Sequence, residues 1–244
     1  MSKRQDKLRR KSHRRFGGAE ILELHSDRFR HEREAAPIRP LNAAQAVYLE
    51  AMGSSPQTVV LGPAGTGKTW LAAVKAADLY RERRIGRIVL TRPNVPGGRG
   101  LGFLPGTLEE KFGPWAAPLV EAIKERIGAG AYEIAVKNGD IEMVPFEVMR
   151  GRSWRDCFVL LDEAQNATAH EMKLFLTRIG EDCRVVINGD VSQCDLKEGS
   201  GLATVVELIR ANDMPVPIVE FGLDDIVRSG ICAMWVRAFH EARL

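Results

Sequence analysis

Residues 58–69, TVVLGPAGTGKT, join an apolar run to a loop with glycines at 62, 65 and 67, and then to a lysine and a threonine. Thr58 to Leu61 reads as a short buried strand. Trp70 to Arg83 follows with Leu71, Val74 and Leu79 at helical spacing. A strand, a glycine-rich loop and a helix in direct succession leave few folds open, because the helix must pack back on a mostly parallel sheet. Gly62 to Thr69 also satisfies GxxxxGK[ST] at every fixed position, in the strand–helix context that gives the pattern its meaning. In such a loop Gly62, Ala64, Gly65, Thr66 and Gly67 offer backbone N–H groups that wrap phosphates, and Pro63, which has none, belongs to the same nucleotide-binding turn. The next helix points the positive end of its dipole at the same anion. Lys68 would neutralise the β/γ-phosphates, and Thr69 would offer a hydroxyl to Mg²⁺. A chance glycine-rich turn is the competing explanation, and the flanking strand and helix argue against it.

The rest of the chain agrees with that plan. Asn42 can cap a helix through Met52, with Val47, Leu49 and Met52 available for burial. Strands are predicted at 87–91, 157–161, 183–188 and 217–221, and helices at 169–179, 201–211 and 225–243. A Gly/Pro-rich loop, NVPGGRGLGFLPG, leads to a helical stretch that Pro114 and Pro118 should break or kink. AYEIAVKNGDIEMVP has Asn138-Gly139 between two alternating segments, a β-hairpin signal and an excursion from the parallel plan. Ligand sites of such sheets lie at the C-terminal strand ends.

Two further strands end in polar clusters. VLLDEAQN, Val159 to Asn166, passes from apolar residues into Asp162 and Glu163. As an isolated dipeptide the pair would cap a helix. Beside a phosphate loop, Asp162 can hold the metal and Glu163 can orient and deprotonate the attacking water, which favours hydrolysis over transfer to a small molecule. INGDVSQCD, Ile187 to Asp195, repeats the design one strand later. Asp190 and Gln193 there either sense a γ-phosphate or form a simple turn in which Asp190 bonds the local backbone.

At 244 residues and 45% hydrophobic, the chain suits one sizeable core. No apolar run approaches the ~20 residues needed to span a bilayer, and the charged N-terminus shows no signal-peptide pattern. Cys157, Cys183, Cys194 and Cys232 lack CxxC spacing, which speaks against a zinc site or disulfide framework and suits a reducing cytoplasm. Residues 1–15 carry eight Lys and Arg against one Asp, so the remainder is net acidic within an overall charge of +3. We expect a basic, disordered arm over 1–36 and one folded domain over 37–244. An arm of this kind suits a phosphate-rich partner such as RNA or DNA; a solubilising tail or expression remnant would look the same.

GPAGTGKT, LGFLPGTLEEKFGPW, VMRGRSW, LLDEAQNAT, LTRIG, INGDVSQCDL with SGL, and DDIVRSGI occur in this order. Together they resemble the PhoH family of P-loop ATPases, related to the nucleotide-binding half of superfamily 1 helicases. The resemblance runs from about Pro40 to the C-terminus. It implies a RecA-like core, ATP and Mg²⁺ as ligands, and ATP hydrolysis with RNA or DNA unwinding as the family's proposed activities. It matches Gln45 to an adenine-reading glutamine, although an exposed helix glutamine would look alike. It matches Thr91, Arg92 and Pro93 to a segment touching the nucleic-acid backbone, Gln193 to a γ-phosphate sensor, and Arg228 to a late arginine near the phosphates. Arg152 and Arg178 lie in family signature runs. Ser153-Trp154 and Val191-Ser192 depart from the pattern without removing a needed group. The chain leaves no room for the PIN-type nuclease fused to some relatives. The family's phosphate-starvation association attaches to its name and to no residue here.

Helicases of this type hold ATP between two cores, and this chain carries one. A neighbouring subunit would then supply the missing cation, which predicts a homo-oligomer. A ring, possibly a hexamer, is favoured, although the same repeated contact also builds filaments. Arg152, Arg178 and Arg228 are the candidate fingers, with Arg99 a weaker one. A nucleotide-gated assembly protein with slow turnover and a small-molecule kinase are the rival functions.

Overall fold

A computed structural model of the chain describes residues 36–93, 108–144, 146 and 153–242. Among the described residues six strands form one sheet: β1 (Gln57–Leu61), β2 (Arg87–Thr91), β3 (Ile141–Met143), β4 (Cys157–Leu161), β5 (Arg184–Gly189) and β6 (Ile218–Glu220). Their order is β3-β2-β4-β5-β1-β6, and every neighbouring pair is parallel. This is the RecA-type arrangement, in which the strand feeding the phosphate loop and the strand ending in Asp162 are separated by β5.

Pleating sorts the strand residues between two layers. Val60, Ile88, Leu90, Phe158, Leu160 and Val186 pack with α1 (Ala43–Ser54), α2 (Lys68–Arg81), α3 (Leu108–Ile127) and α4 (Ala129–Asn138). Val59, Val89, Val159, Leu161, Val185 and Ile187 pack with α5 (Ala169–Leu176) and α6 (Gly201–Ala211). Burial on both faces explains why these strands read as continuous apolar runs. The last described helix, α7 (Gly230–Ala242), follows a 3-10 turn over Leu223–Asp225 and starts later than the helix expected from 225.

Local signals hold at several ends. Asn42 Oδ1 accepts the Gln45 N–H at 2.8 Å, so α1 starts where predicted. Thr168 and Glu171 form a reciprocal capping box at the start of α5. Cys157 and Cys183, distant in sequence, bring their thiols to 3.4 Å across β4 and β5.

Three expectations are corrected. Residues 129–138 are a helix rather than the first arm of a hairpin, with Tyr132 and Ala135 on its buried face. Asn138-Gly139 ends that helix: Gly139 is left-handed (φ 79°), and its N–H donates to the carbonyls of Ala135 and Val136. A hairpin turn and a helix C-cap both favour glycine at positive φ, so the dipeptide could not distinguish them. The second arm is β3, which pairs in parallel with β2. α3 runs through Pro114 and Pro118 without a break; Leu119, Ala122 and Ile123 seat it in the core. Val47 is exposed, and Tyr48, Ala51 and Met52 form the buried face of α1. Residues 1–35, the Gly/Pro-rich loop with Arg99, and Arg152 lie outside the described residues.

A Cβ at Gly139 would meet nothing within 4 Å, so only backbone strain opposes it. Gly139→Ala should therefore cost about 1–2 kcal/mol, read as a lower urea midpoint at unchanged m-value.

Candidate active site

Because all six strands are parallel, Gly62, Asp162, Asp190 and Arg92 leave β1, β4, β5 and β2 at the same edge. The phosphate loop needs two of its glycines for want of space. A Cβ on Gly62 (φ 139°) would lie 2.5 Å from the Phe221 carbonyl, and one on Gly65 (φ 87°) would lie 2.7 Å from Arg228 Cγ. The loop is thus clamped from behind by the segment after β6, which also donates the Val227 N–H to the Gly65 carbonyl at 3.0 Å.

Lys68 is nearly buried, and its ammonium donates to the carbonyls of Gly62 and Pro63 at 2.6 and 2.7 Å. Burial lowers its pKa, against the opposing charges of Asp190, Asp162 and Glu163. Thr69 Oγ1 donates to Asp162 Oδ1 at 2.9 Å. Asp162 is 8% exposed, and burial pushes its carboxyl up to about 6. The charge of Glu163 adds to that rise, while the Thr69 hydrogen bond, Arg92 and Lys68 oppose it.

Glu163 follows in the left-handed region (φ 53°), an uncommon place for a side chain of this kind. Gln165 Nε2 donates to its Oε2 at 2.6 Å, and Gln165 Oε1 accepts the Asp190 N–H at 3.0 Å. Asp190 Oδ1 accepts from the Ser192 N–H and hydroxyl at 3.0 and 2.6 Å, the local-turn alternative noted above. Gln193 is exposed. Both nonetheless line one cavity of about 590 Å³ together with Gly62, Ala64, Gly65, Gly67, Lys68, Thr69, Asp162, Glu163, Gln45 and Arg228.

Gln45 is buried rather than an exposed helix residue; its amide donates to the Thr66 carbonyl at 3.0 Å and accepts the Leu41 N–H at 2.8 Å. The structure does not support all of the nucleic-acid segment. Thr91 and Pro93 are buried, because β2 runs inside the sheet to its last residue, and only Arg92 is partly exposed. Arg178 is half-buried and is absent from the cavity wall, with its carbonyl accepting the Trp154 N–H at 3.3 Å. Sequence reasoning passed over Gln165, although it stands within DEAQN. It also missed the cavity walls built by Arg39, Leu41, Trp70, Pro118 and Val227. A bulky aromatic directly after Thr69 was the one available signal for Trp70.

The residues fit a nucleotide–Mg²⁺ ligand. The loop has no room for a side chain at Gly62 or Gly65, and Thr69 and Asp162 present hard oxygen donors within 2.9 Å of one another. Asp162 also carries a buried carboxylate whose charge is disfavoured until a cation joins it.

Folding raises the Asp162 pKa from 3.8 to about 6, so ionisation weakens the metal-free fold. The penalty is absent below the unfolded value and complete above the folded one. Asp162→Asn in EDTA should therefore be more stable than the native protein at pH 8, by about 2–3 kcal/mol. The difference should fade as the pH drops below 3.8, and thermal unfolding at pH 8 and at about pH 3 checks it.

The family model described as PhoH-like protein matches residues 37–240. The chain is 41% identical over 228 residues to Protein PhoH of Escherichia coli K12, covering 92% of this chain and 63% of that protein. It is 43% identical over 206 residues to a PhoH-like protein of Bacillus subtilis 168, covering 84% and 64% respectively. It thus spans slightly less than two thirds of the length of these relatives. Among solved structures, the UvsW helicase from bacteriophage T4 is similar with a TM-score of 0.49 at 13% identity, covering 80% of this chain and 66% of that one.

Proposed function

The chain belongs to the PhoH-like protein family, and on that premise we propose that it binds ATP with Mg²⁺, hydrolyses it, and couples hydrolysis to single-stranded RNA or DNA. RNA is the favoured partner. The observation that carries the reading is the Thr69–Asp162 contact at the foot of the phosphate loop, with Glu163 beside it. Thr69 and Asp162 would hold Mg²⁺, which would supply positive charge against the charge developing on the phosphates. Ala64 to Gly67 hold the phosphates through backbone N–H groups, and Lys68 exchanges its loop carbonyls for phosphate oxygens. Glu163 orients the attacking water and accepts its proton. Gln193 and Asp190 stand at the same cavity as sensors of the terminal phosphate, and Gln45 meets the base. Arg228 acts in cis, since its side chain packs against Gly65 of its own loop.

Assembly and location complete the proposal. Leu41, Trp70 and Val227 are large, exposed apolar residues on the cavity wall; Ile231, Met234, Trp235 and Phe239 are exposed on α7. Apolar surface of this kind suits a partner, and a second copy would place ATP at a subunit boundary, in a homo-oligomeric ring. With Arg228 committed in cis, Arg178 becomes the described candidate for a finger acting in trans. Among the described residues no helix is long and apolar enough to cross a membrane. The free cysteines suit the cytoplasm, and the basic arm over residues 1–36 would hold polynucleotide near the domain over 37–244.

ATP hydrolysis should rise several-fold with single-stranded RNA. Glu163→Gln should keep ATP binding while losing ~100-fold or more in rate. Native-like hydrolysis by Glu163→Gln would overturn the mechanism. ATP binding that ignores RNA and barely turns over would instead favour the slow assembly protein.

A mixture of Lys68→Ala and Arg178→Ala subunits should recover activity that neither has alone, because an intact arginine then faces an intact loop. A monomer that hydrolyses briskly with ATP and RNA present would refute the oligomer.

A further inference from the structure

Gln165 is 2% exposed and ties two parts of the site together through one amide. Its Nε2 donates to Glu163 Oε2 at 2.6 Å, and its Oε1 accepts the backbone N–H of Asp190 at 3.0 Å. The turn that carries it also holds the following loop at two more points. Cys194 Sγ donates to the Gln165 carbonyl at 3.3 Å, and the Asp195 N–H donates to Asn166 Oδ1 at 3.0 Å. Gly189 makes the approach possible, since a Cβ there would sit 2.9 Å from Gln165 Oε1. The loop from Asp190 to Asp195 is therefore hung on the DEAQN turn, and the only side chain bridging it to Glu163 among these contacts is Gln165.

The consequences follow from hydrogen-bond chemistry. An amide N–H on one carboxylate oxygen fixes the plane of the carboxylate and leaves the other oxygen for water. The same amide cannot rotate freely, because its carbonyl end is held by Asp190. Displacement of the loop that carries Asp190 and Gln193 must move the amide, and with it the carboxylate.

We infer that Gln165 is a positioning residue that ties the aim of the Glu163 carboxylate to the placement of the Asp190–Gln193 loop. Glu163 is then set for water only when that loop is seated against the terminal phosphate. The inference rests on the proposal that Glu163 is the acting acid.

The test uses the full chain with two variants, Gln165→Ala and Gln165→Glu. The second keeps the size and the acceptor for Asp190 but removes the donor to Glu163. Hydrogen bonds to charged groups are worth enough that kcat should fall about 10–100-fold in both. KM and the affinity for a non-hydrolysable ATP analogue should stay within about twofold, a split that general loss of structure would not give. In the nucleotide-free protein the Asp190 amide should exchange at least about tenfold faster in Gln165→Ala and remain protected in Gln165→Glu. In a Glu163→Ala background, Gln165→Ala should lower the residual rate no further. The inference is overturned if kcat stays within twofold in both variants, or if the same loss persists without Glu163. If Glu163→Ala alone hydrolyses at the native rate, the role given to Glu163 fails first and takes this coupling with it.

Discussion

Thr69 and Asp162 meet at 2.9 Å although β1 and β4 do not touch. β5 lies between them, so the first turn of α2 must lean across a neighbouring strand to bring the hydroxyl to the carboxylate. The conformations that aim it are unusual: Gly67, the residue before α2, is left-handed, and Gly62 has φ 139°. The backing is equally specific, because Phe221 and Arg228 stand where side chains on Gly62 and Gly65 would be. The strand order, the loop and the segment after β6 are all conditions for one contact. A parallel sheet makes that contact possible by delivering every polar strand end to one edge.

The electrostatics of the site run against the stability of the protein that carries it. Burial disfavours the charged form of Asp162 and of Lys68 alike. Each charge lessens the other's penalty, yet neither has the other as a direct partner: Lys68 donates to loop carbonyls, and Asp162 accepts from a neutral hydroxyl. A site built for its own stability would have paired them. This one keeps an anion exposed to a cation and a cation exposed to an anion, which is the complement of a metal-bound phosphate chain.

The parts legible in the sequence were those where one local rule acts alone. β1, β2 and β4 were readable because strands buried on both faces must be apolar throughout, and the eight-residue loop because backbone geometry demands its glycines. Asn42 caps its helix by a short-range bond that spacing reveals. The failures came where two structures share one signal. Gly139 would serve a hairpin or a helix C-cap, and only the packing of Tyr132 and Ala135 decides. Pro114 and Pro118 lie within a helix because Leu119 and Ile123 outweigh the lost backbone bonds. Gln165 was invisible for another reason. Its meaning depends on the Asp190 N–H, a backbone group 25 positions away that any residue would offer.

The burial of Thr91 and Pro93 narrows how nucleic acid, if bound as proposed, could be felt at the site. Of the three residues matched to a backbone-contacting segment, only Arg92 is accessible, and it already faces two ways. Its guanidinium lies 5.8 Å from the centre of the Trp115 ring, and its charge lowers the pKa of Asp162. A phosphate group drawn to Arg92 would screen that charge and act on the Asp162 carboxylate through space, with no moving part required. The same phosphate would compete with Trp115 for the guanidinium and so bear on α3, which also builds the cavity wall at Pro118 and Leu119. If the chain binds polynucleotide as proposed, communication with the nucleotide would have a short physical route on this side of the sheet. It would run from Arg92 to Asp162, whereas the proposed coupling through Gln165 lies on the other side of β4.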